Sequence, residues 1–151
     1  MAIAQAMCTA FKSEVLQATH NFKASGGNSF KLALYAEGGG GKSSTTATLG
    51  ATTTAFTTTG EVASSGSYAT GGSALTNIDP TTSGTTGFAD FSDLSFTTAT
   101  ITAMGAMIYN DTNSDKSVCI LDFSSNKTST AGTFTITFPA AAASTAIIRI
   151  A

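Results

Sequence analysis

The 151 residues carry seven Lys and Arg against nine Asp and Glu, a formal charge of −2, and charged side chains make up only 11% of the chain. That balance excludes a basic footprint for nucleic acid, and no stretch reaches the ~18–20 apolar residues that span a bilayer as a helix. Thr (28) and Ser (18) supply close to a third of the chain, and the branched Cβ of Thr favours strands over helix interiors. The composition predicts a mainly β protein, and the length predicts one domain over residues 1–151.

The only helical candidate covers residues 1–22. Ile3, Met7, Ala10, Phe11, Val15 and Ala18 recur at steps of three and four, which stack on one helix face. That face must bury against a sheet of this domain or dock on a neighbouring subunit. Met1 to Met7 has no positive region, and Lys12 and Glu14 interrupt the apolar run, so no export signal is expected. The period becomes two at Phe30 to Tyr35, a half-buried strand with Phe30, Leu32 and Leu34 on one side. Residues 37–60 are rich in Gly and Thr and read as a long loop. Strand-like pieces follow at 61–62, 67–70 and 74–78, then turns at Asp79-Pro80 and Ser83-Gly84. Further pieces are 85–91, 94–96 and 100–109, where Gly105 marks a bulge or a close backbone approach. Val118 to Phe123 and Thr133 to Phe138 read as central strands. Residues 146–150 close the series, and Ile147 to Ile150 is apolar enough to expect pairing on both sides or an interface. About eight short strands behind one N-terminal helix predict an antiparallel β-sandwich, jelly-roll-like.

Several strings invite a chemical reading. Ala36 to Ser43 fits a permissive phosphate-loop pattern, and Val118 to Asp122 resembles its partner strand. The loop should open a helix whose amides hold the phosphates, yet Thr- and Gly-rich sequence follows, so a surface loop is expected. Asp111, Asn113, Asp115 and Asp122 have the spacing of a calcium loop. Lys116 stands where glycine is needed, and Asn and Asp equally make a hairpin turn. Asp90 and Asp93 form a weaker carboxylate pair. His20 is the only histidine and reads as a helix-end residue rather than a catalytic one. Cys8 and Cys119 read as two reduced thiols, and with His20 they lack any zinc spacing. Phe88, Phe91, Phe96, Phe123, Phe134 and Phe138 fall on period-two segments and read as core. With no Trp and three Tyr, an aromatic glycan-binding face is disfavoured. No catalytic, cofactor or metal residue is assigned, and no enzyme activity is expected.

Many of these segments resemble a family of small virion structural proteins of tailed bacteriophages. The likeness is carried by Ala2 to Met7 with Phe11-Lys12, Phe30 to Tyr35, Glu61-Val62, and Tyr68 to Gly72 with Ala74 to Asn77. It continues through Ala99 to Ala106, Ile108 to Asn110, Leu121 to Phe123, Gly132 to Pro139 and Ala146 to Ile150. The departure is the Gly38 to Gly41 loop. The resemblance implies a non-enzymatic capsid decoration or cement protein, located in the virion and assembled in the host cytoplasm. Its partners would be the major capsid protein or another virion protein and further copies of itself, with a trimer favoured and neither nucleic acid nor membrane bound. The alternatives are a tail, head–tail junction or fibre component, a glycan-binding attachment module, or a small depolymerase. Candidate assembly surfaces are the helix face (Ile3, Met7, Phe11, Val15) and the terminal strand (Ile148, Ile150). Packing within one subunit explains the same residues equally well.

Overall fold

The computed structural model describes residues 3–36 and 48–151. Among them the chain forms eight strands and one helix: β1 (Ala6–Met7), α1 (Thr9–Leu16), β2 (Phe30–Tyr35), β3 (Ser73–Ala74), β4 (Asn77–Ser83), β5 (Thr86–Phe91), β6 (Leu94–Asn110), β7 (Lys116–Ile136) and β8 (Ile148–Ile150). All strand pairs are antiparallel. They make a five-stranded sheet, β1-β7-β6-β2-β3, and a three-stranded sheet, β4-β5-β8. The fold is β-sandwich-like, as the composition and the period-two segments predict.

The centre of the large sheet is β2 on β6, paired from Phe30↔Asn110 to Tyr35↔Gly105. Alternation and register put Phe30, Leu32 and Leu34 with Ile108 and Ala106 on one face, and Ala33 and Tyr35 with Met107 and Tyr109 on the other. Both sets are buried, so β2 is covered on two sides rather than half-buried. On the first face the Phe30 ring stacks on Phe22 (centroids 4.4 Å) and meets Phe91 of β5 (5.7 Å). On the second, Phe56 stacks on Tyr109 (4.7 Å) and Tyr35 donates a hydrogen bond to the Thr57 carbonyl. The irregular stretch after residue 48 therefore acts as a lid of packed side chains. Full burial of such a side chain contributes ~1.5–3 kcal/mol, and half-buried Phe56 contributes less. Of the six phenylalanines read as core, Phe91, Phe96, Phe134 and Phe138 are buried, whereas Phe88 and Phe123 are partly exposed.

The helix is shorter than residues 1–22. Ile3 makes a parallel bridge to Leu49 and Met7 lies in β1, paired with Cys119, so only Ala10, Phe11 and Val15 of the expected face belong to α1. Pairing to the edge of β7 outcompetes the weak, Ala-dominated periodicity of the first residues, and Cys8 enters the helix in an extended conformation (ψ 138°). The helix then stops at Leu16. The Thr19 amide donates to Glu14 O and the Ala18 amide to Val15 O, with Ala18 in the left-handed region at φ 57°. This is a Schellman cap built on alanine where glycine is the usual residue. Exposed Ala18 carries the Cβ penalty of that conformation. Ala18→Gly is expected to raise stability by about 0.5–1 kcal/mol in urea titration, and a loss would contradict the cap.

Three further expectations change. Asp79-Pro80 is not a turn but lies within β4, an edge strand whose register shifts between Ile78 and Thr81. Proline is tolerated at edges and bulges because its missing N–H is not needed there. The separate pieces 94–96 and 100–109 are one strand, as are 118–123 and 133–138, because the polar residues between them continue a bulged ribbon. Among the described residues β8 pairs only with β5 and is an edge. Gly105 behaves as read: the ladder shifts there, and a Cβ would lie 2.5 Å from Leu121 O and 2.8 Å from Ile3 Cγ2.

Candidate functional site

A buried polar cluster ties α1 to the end of the β6–β7 hairpin. Glu14 and His20 are both buried, on the helix and just after its cap. His20 Nε2 lies 2.9 Å from Glu14 Oε2, and Lys116 Nζ donates to Glu14 Oε1 at 2.5 Å. On the other side, Asn110 Nδ2 lies 3.0 Å from His20 Nδ1. Asn110 Oδ1 accepts the amides of Thr112 and Asn113, both at 3.2 Å, which orients the side chain with its NH2 toward the ring. His20 Nδ1 is thereby the acceptor, and Nε2–H donates to Glu14. Burial raises the Glu14 carboxyl, but the hydrogen bonds from Lys116 and His20 and the Lys116 charge outweigh it and hold the group below the usual carboxylate range.

This arrangement is a clasp. It satisfies both imidazole nitrogens with structural partners, so the ring has none left to activate a hydroxyl or thiol. His20 is therefore more than a helix-end residue, since it joins α1 to β6 across 90 positions of sequence. Sequence spacing gives no signal for such a set.

A second cluster gathers Glu61 and all three tyrosines. Glu61 Oε1 accepts the Tyr68 hydroxyl at 2.9 Å and the Gly71 amide at 2.6 Å. Tyr109 donates to Gly71 O at 2.5 Å, and the Tyr68 hydroxyl accepts the Leu34 amide at 2.9 Å. Burial pushes all three phenols above their ordinary range, reinforced by the Glu61 charge at Tyr35 and Tyr68 and chiefly by the Asp111 and Asp115 charges at Tyr109. They stay protonated and available as donors, fixing the 57–72 stretch to β2 and β6.

The other residues singled out by sequence are dispersed. Asp111, Asn113 and Asp115 occupy the β6–β7 turn, where Asp111 pairs with Lys31 at 2.8 Å and Asn113 Nδ2 donates to Thr19 O. Asp122 lies six residues along β7, ~20 Å from the turn at the strand rise, and accepts the Ser124 amide. Asp93 accepts the Phe138 amide, whereas Asp90 is buried and accepts that of Phe91. Among the described residues no three His, Cys, Asp or Glu side chains form a group that could hold a metal ion. The glycine run 38–41 with Lys42 and Ser43 lies outside the described residues. Cys8 and Cys119 are free and buried, and burial pushes the Cys119 thiol up to about 12, so it is an inert thiol at neutral pH.

Part of the expected helix surface meets the terminal strand in one place, whereas Ile3 is buried and Met7 lies in β1. Phe11 and Val15 of α1 face Ile148 and Ile150 of β8 across an open apolar groove of about 300 Å³, with Phe22 and Phe88 also in its walls. Leu16 and Ile150, beside and within it, are 89% and 62% exposed, so this end of the domain is an apolar surface flanked by a strand edge.

No family model, no curated protein and no solved structure matches this chain.

Proposed function

We propose that this chain is a non-enzymatic structural protein of a tailed-phage virion, a capsid decoration protein that bridges capsomers as a symmetric homo-oligomer. One observation carries the reading beside the family resemblance. In the ribbon formed by residues 94–103 and 127–136, Lys127 is the single charged side chain, and the exposed positions are mostly Ser and Thr. A broad neutral hydroxyl surface can be laid against a shell without stripping water from ions, and short side chains lose little entropy when ordered there. A protein that binds only the assembled lattice stabilises it by mass action.

The test is to separate virions of the encoding phage into heads and tails on a density gradient and quantify the chain in each fraction. Recovery with heads at a copy number matching the capsid lattice is the expected result. Recovery with tails, or a few copies per particle, would overturn it in favour of the tail, junction or attachment role.

A further inference from the structure

We infer that the outer edge of β7 at residues 133–137 is a dimerisation site, at which a second copy of this chain adds its own 133–137 segment antiparallel across a two-fold axis. Among the described residues, β1 pairs with β7 only at Cys119 and Ile120, and no strand pairs with that edge farther on. The segment Thr133-Phe134-Thr135-Ile136-Thr137-Phe138 is uncharged, contains no Pro or Gly, and alternates residues of high β propensity. Natural edges of this kind are usually protected by charge, Pro or a bulge, and an unprotected run of this composition is a template for another strand. The last register shift of β7 lies at its start, between Gly132 and Phe134, and from Phe134 to Ile136 the pairing with β6 is regular, Leu94↔Ile136 to Phe96↔Phe134. As a sequence the segment reads as a central strand, yet among the described residues it pairs with a strand on one side only.

The partner is a second copy because the segment is a palindrome in residue class about Thr135. Antiparallel pairing centred there places Thr133 opposite Thr137 of the other copy and Thr135 opposite itself, all on the exposed face. It places Phe134 opposite Ile136 on the buried face. Threonine pairs and aromatic–β-branched pairs are favourable cross-strand neighbours. An isologous edge of this kind closes as a dimer, in place of the trimer that the family resemblance favours. The inference stands apart from the virion role, because it is read on the purified chain.

The test uses sedimentation velocity on the full chain and two double variants at exposed positions. Wild type is expected to sediment as a dimer at micromolar concentration. T133K/T137K places like charges opposite each other twice and should weaken the dimer ~10-fold or more, whereas T133K/T137E places opposite charges there and should keep it. Thr135→Cys supplies a readout independent of those variants: the two thiols face each other across the axis and should cross-link on mild oxidation. A monomeric or trimeric wild type would overturn the inference, as would a dimer indifferent to the lysine pair or no cross-link at position 135.

Discussion

Phe91→Ala is expected to cost ~3–5 kcal/mol in urea unfolding, the upper range for removing a buried aromatic ring. Phe91 is the last residue of β5 and the ring through which the small sheet touches the large one. It meets Phe30 at 5.7 Å, Phe22 at 6.2 Å and Phe138 at 5.8 Å, and is 2% exposed. Removing it leaves a cavity between elements that share few other contacts, so hydrogen exchange in β4, β5 and β8 should accelerate more than in the β2–β6 core. Phe91→Leu keeps most of the volume and should cost less than half as much. A loss below ~1 kcal/mol, the typical effect of an arbitrary substitution, would mean the sheets are held together elsewhere.

Glu14→Gln is expected to cost about 2 kcal/mol at pH 7, the scale of hydrogen bonds to a charged group, since it removes the carboxylate shared by His20 and Lys116. The pH dependence follows from linkage. The folded-state Glu14 carboxyl sits below its ordinary value of 4.5, so its contribution is complete above that value and is lost as pH falls through the folded-state value. Asp90 works in the opposite direction. Burial, partly offset by the Phe91 amide, holds its carboxyl above the ordinary 3.8, so protonation there favours the folded chain. Acidification should first recover stability at Asp90 and then lose it at Glu14. Stability curves from pH 7 to 3 should lose the late fall in Glu14→Gln and the early gain in Asp90→Asn. Variants parallel to wild type throughout would refute the assignment.

What could be read from sequence was whatever depends on neighbours along the chain. Phe30 to Tyr35 alternates cleanly, and β2 has those bounds. Gly105 is visible because a lone glycine in a strand has few reasons to be there. The Ser83-Gly84 turn is legible through its left-handed glycine, Gly84 at φ 59°. The errors come where tertiary partners decide. Nothing local shows that residues 3–8 will pair with β7, or that alanine will end α1 where glycine is the usual signal. The polar run 124–130 looked like a break because a ribbon open to solvent has no apolar alternation to display. The clasp was the least legible feature, since Glu14 and Lys116 are 102 positions apart.

That separation sets an order of events during synthesis. At ~5–20 residues per second, roughly 5–20 s pass between the making of Glu14 and of the lysine that neutralises it. For most of that interval Phe11 and Phe22 have no large sheet to cover, because β6 is made only over its last part and β7 begins at Lys116 itself. The β6–β7 hairpin, by contrast, closes locally around Asp111 to Asp115. Residues 9–22 are therefore made well before they can settle, and this protein depends on that nascent segment staying soluble until the hairpin arrives.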